Sequence, residues 1–85
     1  MKGVVIYKPS SSTIEEIMKV YPRHKAYLEE FKKERKIYGI GPFSDRQGSL
    51  GIFESVEDAK IFVKNDPFVK EGLTGEIEIK EWKDD

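Results

Sequence analysis

The stretch Lys36-Ile37-Tyr38-Gly39-Ile40-Gly41-Pro42-Phe43-Ser44-Asp45-Arg46-Gln47-Gly48-Ser49-Leu50-Gly51-Ile52-Phe53-Glu54 decides the fold. Its two arms, Lys36–Phe43 and Ser49–Glu54, are β-prone, and the polar segment Ser44–Gly48 between them has hairpin length. Glycines 39 and 41 leave room for something to approach the first arm's backbone closely. Two successive strands at the centre of the chain are therefore expected, with a strand and a helix to be found on each side.

Upstream, Val4-Val5-Ile6-Tyr7 makes Gly3–Lys8 a strand, broken by Pro9 and the serines at 10, 11 and 12. Ser12 with Glu15, or Thr13 with Glu16, forms a capping-box pattern that opens a helix carrying Ile14, Ile17, Met18 and Tyr21. Pro22 cannot donate its N–H and restricts Tyr21, so the helix is expected to restart with Pro22 as its first residue. His24, Leu28, Phe31 and Arg35 then fall on one stripe, with Tyr27 beside it, and the helix should end near Arg35. Downstream, Ser55 with Asp58 caps a helix whose inward stripe is Ala59, Phe62, Val63 and Asp66. Asp66-Pro67 starts a further turn through Glu71, Gly72 stops it, and Thr74–Trp82 alternates as a last strand. The order β-α-β-β-α-β is the α+β, ferredoxin-like pattern: a four-stranded antiparallel sheet with helices on one face.

Residues 1–85 make one domain, since 85 residues leave no room for a second. The absence of cysteine excludes disulfides, thiolate metal sites and cysteine nucleophiles, and a single histidine removes the ordinary zinc patterns. Fifteen basic against sixteen acidic residues give no electrostatic reason to expect a nucleic-acid partner. The longest strictly apolar run, Val4–Tyr7, is four residues. About 20 are needed to span a membrane. No secretory leader pattern opens the chain, so a cytoplasmic location is expected.

Both sheet faces carry apolar groups. Val4 and Ile6 alternate with Val5 and Tyr7, Ile37 and Phe43 oppose Tyr38 and Ile40, and Leu50 and Ile52 oppose Phe53. Two helices cover one face only, and a symmetric homo-oligomer that buries the open faces against each other would cover the second. In the last strand, Trp82 shares its face with Glu76, Glu78 and Lys80, which must then lie near an edge or line a polar cavity.

His24 is the first candidate for chemistry. It sits on an apolar stripe and alone has an ordinary ionisation near neutrality. At the amino end of a restarted helix the dipole would favour the neutral imidazole that a general base needs. A boundary histidine bonded to a backbone carbonyl is the competing reading. Asp66 ends an inward stripe, where a carboxylate is costly unless hydrogen-bonded. Capping accounts for one of its oxygens, and an imidazole could use the other. With the two helices taken as roughly parallel neighbours, the pair would meet only if the Pro22 break or the turn after Asp66 redirects the chain; the pattern leaves that contact open. Arg23 suits an anionic substrate but equally a solvated surface. The run Lys32–Lys36 reads as a solvated helix end. Gly39-Ile40-Gly41 lacks the setting of a phosphate loop, and no nucleophile-elbow motif is present.

Taken in order, Val4–Tyr7, Arg23-His24, Gly41-Pro42, the short hairpin, the helix from Ser55, Asp66-Pro67-Phe68 and Gly72-Leu73 resemble the YciI-like (YCII-related) family of dimeric α+β-barrel proteins. The resemblance implies dimerisation of a ferredoxin-like fold and a His–Asp active-site pair, which on this chain is His24 and Asp66. One member of that wider group removes chloride from a chlorinated hydroxyquinol. Glu81-Trp82-Lys83 departs from the family's more apolar strand end, and the hairpin is short, so no substrate is transferred. The expectation is an enzyme without cofactor or metal, acting on a small organic molecule such as an aromatic or enolisable acid by proton abstraction, elimination or hydrolysis. His24 would be the acid/base group and Asp66 its orienter, with Arg23, Tyr7, Phe43 and Phe68 contacting substrate. The alternatives are a non-catalytic ligand-binding dimer and, by resemblance to other barrels, a cofactor-free oxygenase.

Overall fold

The computed structural model describes residues 1–84. Strands β1 (Lys2–Tyr7), β2 (Ile37–Pro42), β3 (Ser49–Phe53) and β4 (Ile77–Trp82) form one antiparallel sheet in the order β2-β3-β1-β4. Helices α1 (Ile14–Lys33), α2 (Val56–Asn65) and the single turn α3 (Pro67–Lys70) complete the ferredoxin-like order. No helix among the described residues is long and apolar enough to cross a membrane.

Local signals fix the helix starts. Thr13, not Ser12, is the α1 N-cap: its hydroxyl accepts from the Glu16 N–H while the Glu16 carboxylate accepts from the Thr13 N–H. Ser55 caps α2 through the Asp58 N–H, and Asp66 caps α3 through the Phe68 N–H.

Three expectations are corrected. First, α1 does not restart at Pro22 but runs through it as one helix of 20 residues. Proline removes only the bond from its own position to the Met18 carbonyl. Val20 and His24 are buried on either side of the exposed Pro22, and their packing outweighs that loss. The helix does end near Arg35, with Glu34 as C-cap and Arg35 just beyond it in the left-handed region at φ 58°. Second, α1 and α2 are antiparallel, not parallel. β1 and β3 run in opposite directions, and each helix turns back along the strand before it, which sets the middle of α1, at His24 and Tyr27, beside the end of α2. Third, Ile37 and Ile40 face the same side. A bulge between Ile37 and Gly39 inserts Tyr38 as an extra residue and reverses the alternation.

The core lies between helices and sheet: Val5, Phe53, Ala59 and Phe62 are fully enclosed, with Tyr7, Phe31 and Ile37 completing the cluster. On the other face Val4 pairs with Ile52 and Ile6 with Leu50, all half-buried. Glu78 and Lys80 share that face on β4, which is an edge strand, as their charge requires. Among the described residues nothing occupies the space a Cβ would take at Gly39 or Gly41, which sit opposite Ile52 and Leu50 on the open face. The close approach expected there is not made by any described residue.

Candidate active site

The antiparallel helices bring together the two residues whose contact the sequence left open. His24 Nδ1 lies 2.8 Å from Asp66 Oδ1, and the residues are 7% and 1% exposed. Each arrives for a local reason. His24 is one helical turn from Val20 on the buried stripe of α1. Asp66 follows Phe62 by one turn on the buried stripe of α2, where its extended backbone (ψ 123°) ends that helix and begins α3.

One oxygen of Asp66 carries both duties. Oδ1 takes the imidazole at 2.8 Å and accepts from the Phe68 N–H at 3.0 Å, so the cap that starts α3 also fixes the carboxylate's rotamer. Phe68 holds the imidazole as well: the rings stack at a centroid distance of 4.2 Å and an interplanar angle of 17°. Phe62 meets the imidazole edge-on at 6.2 Å and 87°. With Nδ1 committed to Asp66, Nε2 is the ring nitrogen left for a ligand. No protein group among the described residues bonds it, and it is not among the buried unpartnered atoms, so its edge reaches solvent.

Tyr27 and Tyr7 are both held as neutral phenols. Burial, then the Asp66 charge, pushes the Tyr27 hydroxyl up to about 12. That hydroxyl donates to the Ile61 and Phe62 carbonyls at 3.3 and 3.2 Å. Burial, then the charge of Asp66, raises Tyr7 further still. Tyr7 Oη is buried without a hydrogen-bond partner.

Of the six residues singled out from sequence, His24, Asp66 and Phe68 are in contact, and Tyr7 lies in the core cluster with no hydrogen bond to the pair. Arg23 makes an exposed ion pair at 3.9 Å with Glu71, the C-cap of α3, and no bond to the pair. Phe43 lies in the hairpin, 39% exposed, with no ring contact to His24. Sequence reasoning missed Phe62 as a wall of the imidazole site. Its place one turn before Asp66 on the same stripe was the signal.

The family model of the YCII-related domain matches residues 1–83. The uncharacterized protein YjpA of Bacillus subtilis (strain 168) is 37% identical over 62 residues, which cover 71% of this chain and 72% of YjpA. Among solved structures, this chain is similar to the 5-chloro-2-hydroxyhydroquinone dehydrochlorinase of Burkholderia phenoliruptrix AC1100, in complex with 2,5-dihydroxybenzoquinone. That likeness has a TM-score of 0.77 and 31% sequence identity, covering 100% of this chain and 96% of the dehydrochlorinase chain.

Proposed function

The chain belongs to the YCII-related domain family, and from that premise we propose that it is an enzyme that eliminates a leaving group from a small hydroxylated ring or enolisable acid, without a cofactor. The observation that carries this reading is the buried 2.8 Å contact of His24 Nδ1 with Asp66, which leaves Nε2 as the ring edge at the surface. Likeness to a dehydrochlorinase across the whole chain supports it.

In the proposed step on a hydroxylated ring, Nε2 takes a hydroxyl proton and returns it to the ring carbon that bears the leaving group, making that carbon tetrahedral. Loss of a second hydroxyl proton then forms the new C=O as the leaving group departs with its own bonding pair; from an enolisable acid the C–H proton is taken directly and its electrons form the new π bond. The substrate loses HX, so no oxidant or reductant enters. Asp66 accepts from Nδ1–H, which fixes the tautomer with a free Nε2 and stabilises the imidazolium that forms. Such a base supplies roughly 10²- to 10⁴-fold in rate.

The test is release of halide or proton from a panel of halogenated hydroxyquinols and enolisable acids, with His24→Gln as the comparison. Turnover should fall at least about 100-fold while the far-UV spectrum is unchanged. Full activity in His24→Gln would sink the reading. A non-catalytic ligand-binding role is favoured by one observation, the 7% exposure of His24. It predicts saturable binding of the same compounds with no product.

A symmetric dimer through the open sheet face is proposed as the assembly. The half-buried Val4, Ile6, Leu50 and Ile52 form an apolar centre there, and Gly39 and Gly41 leave the backbone beside them uncovered.

A further inference from the structure

The strand register sets out the side chains of the open sheet face in rows. Gly39, Ile52, Val4 and Lys80 stand in one row, and Gly41, Leu50, Ile6 and Glu78 in the next. Trp82 stands beside Lys2 in a third, where Lys2 also lies over the ring of Tyr38, the residue inserted by the bulge. The face is therefore uneven. Its β4 edge carries three long side chains, and two of them, Lys80 and Trp82, wall a cleft floored by Val4, Leu50 and Ile52. Its β2 edge carries two bare glycines.

Those glycines do not serve their own chain. Neither has a positive φ, and no described residue would meet a Cβ at either position. Glycine weakens a strand interior, and it marks a place where another chain or a ligand comes close. Stacked sheets with aligned strands sit about 10 Å apart. An axis along the strands keeps each row at its level and exchanges the edges. The partner's Lys80 then comes over Gly39 and the partner's Glu78 over Gly41. These two side chains neutralise each other at 3.5 Å, and their stems can cross the bare β2 backbone with the charged heads in water beyond it. Val4 and Ile6 meet the partner's Ile52 and Leu50 at the centre. The exposed Tyr38 (60%) and the partner's Trp82 (46%) fall together at one end. An axis across the strands instead stacks the tall β4 edge on itself and holds the two glycine edges apart over a void.

We propose that two copies of this chain pair about a twofold axis along their strands, with Glu78, Lys80 and Trp82 of each seated on the Gly39–Gly41 edge of the other. The pairing rests on the open-face dimer proposed above, and it gives the two glycines an occupant. It also lets the charges of β4 join an apolar interface without a polar cavity.

The chain has no cysteine, so introduced ones are the only thiols. Gly39→Cys and Lys80→Cys chains are prepared separately, mixed, and treated with a short bis-maleimide. The mixture should give a covalent dimer on a denaturing gel, and each variant alone should not. Equal crosslinking of either variant alone, or none in the mixture, overturns the pairing. Gly39→Leu has room within its own chain, so it should keep the wild-type far-UV spectrum while weakening dimerisation about 10- to 100-fold in sedimentation. Unchanged dimerisation in Gly39→Leu overturns the pairing too. Light scattering of the wild type separates the two readings: a monomer removes the open-face dimer and this pairing with it, whereas a dimer without the 39-to-80 crosslink removes the pairing alone.

Discussion

Substitution at Asp66 separates the two roles of one oxygen. Asp66→Ala deletes the α3 cap, which costs about 0.5–2 kcal/mol. It also leaves the His24 Nδ1–H buried without an acceptor, for about 1–3 kcal/mol more. The residue is 1% exposed and the imidazole is walled by Phe62 and Phe68, so water cannot easily replace the lost partner. The two losses together come to about 1.5–5 kcal/mol. At about 4–8 °C per kcal/mol for a domain of this size, that is a fall in Tm of roughly 6–40 °C.

Two milder variants divide that total. Asp66→Asn keeps a side-chain oxygen where Oδ1 sits and loses only the charge assistance, so it should cost about 1 kcal/mol. Asp66→Ser is as good a cap as Asp but too short to reach the imidazole, so it should lose the His24 contribution alone, about 1–3 kcal/mol. Urea unfolding at pH 7 reads all three, and the expected order of stability is Asn, then Ser, then Ala. If serine equals wild type, the buried contact to His24 contributes nothing. If alanine lies within about 0.5 kcal/mol of wild type, the reasoning about both roles is wrong.

Other consequences are independent of that series. Tyr7 ionises higher in the folded chain than in the unfolded one, so its contribution is intact below the ordinary tyrosine value near 10 and is lost as pH rises above it. Alkaline urea melts should show stability falling from about pH 10 upward at up to 1.4 kcal/mol per pH unit from this group, and Tyr7→Phe should flatten that slope. Pro22→Ala restores a helical hydrogen bond at an exposed position and should raise stability by about 1–3 kcal/mol; an unchanged Tm would mean the surrounding turn has already absorbed the defect. If the open sheet face is a dimer interface, wild type should elute with twice the chain mass and Ile52→Lys with the chain mass in light scattering. A monomeric wild type at micromolar concentration would refute the assembly.

What was legible in the sequence is what short-range chemistry dictates. Thr13 with Glu16, Ser55 with Asp58, and Asp66 with Pro67 each solve a helix-start problem within four residues, and all three are caps in the structure. The bulge at Tyr38 was not legible, because an inserted residue depends on how the partner strand pairs. Continuity through Pro22 was not legible either: it depends on the burial of Val20 and His24 against other elements. The His24–Asp66 contact is different in kind. Its residue types and stripes could be read, and the contact stayed open only because α1 and α2 were taken as parallel. In this strand order β1 and β3 are antiparallel, so the helices that follow them are too, and the middle of the longer α1 is brought past the end of α2.

The way the pair is held bears on what it can do. An imidazole free to rotate would have to be oriented at each encounter with a substrate, whereas here both partners are oriented in advance. Phe68 does this from one position by two routes, its N–H fixing Asp66 and its ring lying flat against His24. Pro67 supports both by setting the start of α3 one residue earlier, as the first residue after the cap. The segment Asp66-Pro67-Phe68 is therefore a helix start whose three residues each also serve the imidazole. A structural cap alone requires Asp66 and a compatible backbone. It does not require a flat ring at 4.2 Å from a buried histidine, nor that histidine's second nitrogen at the surface.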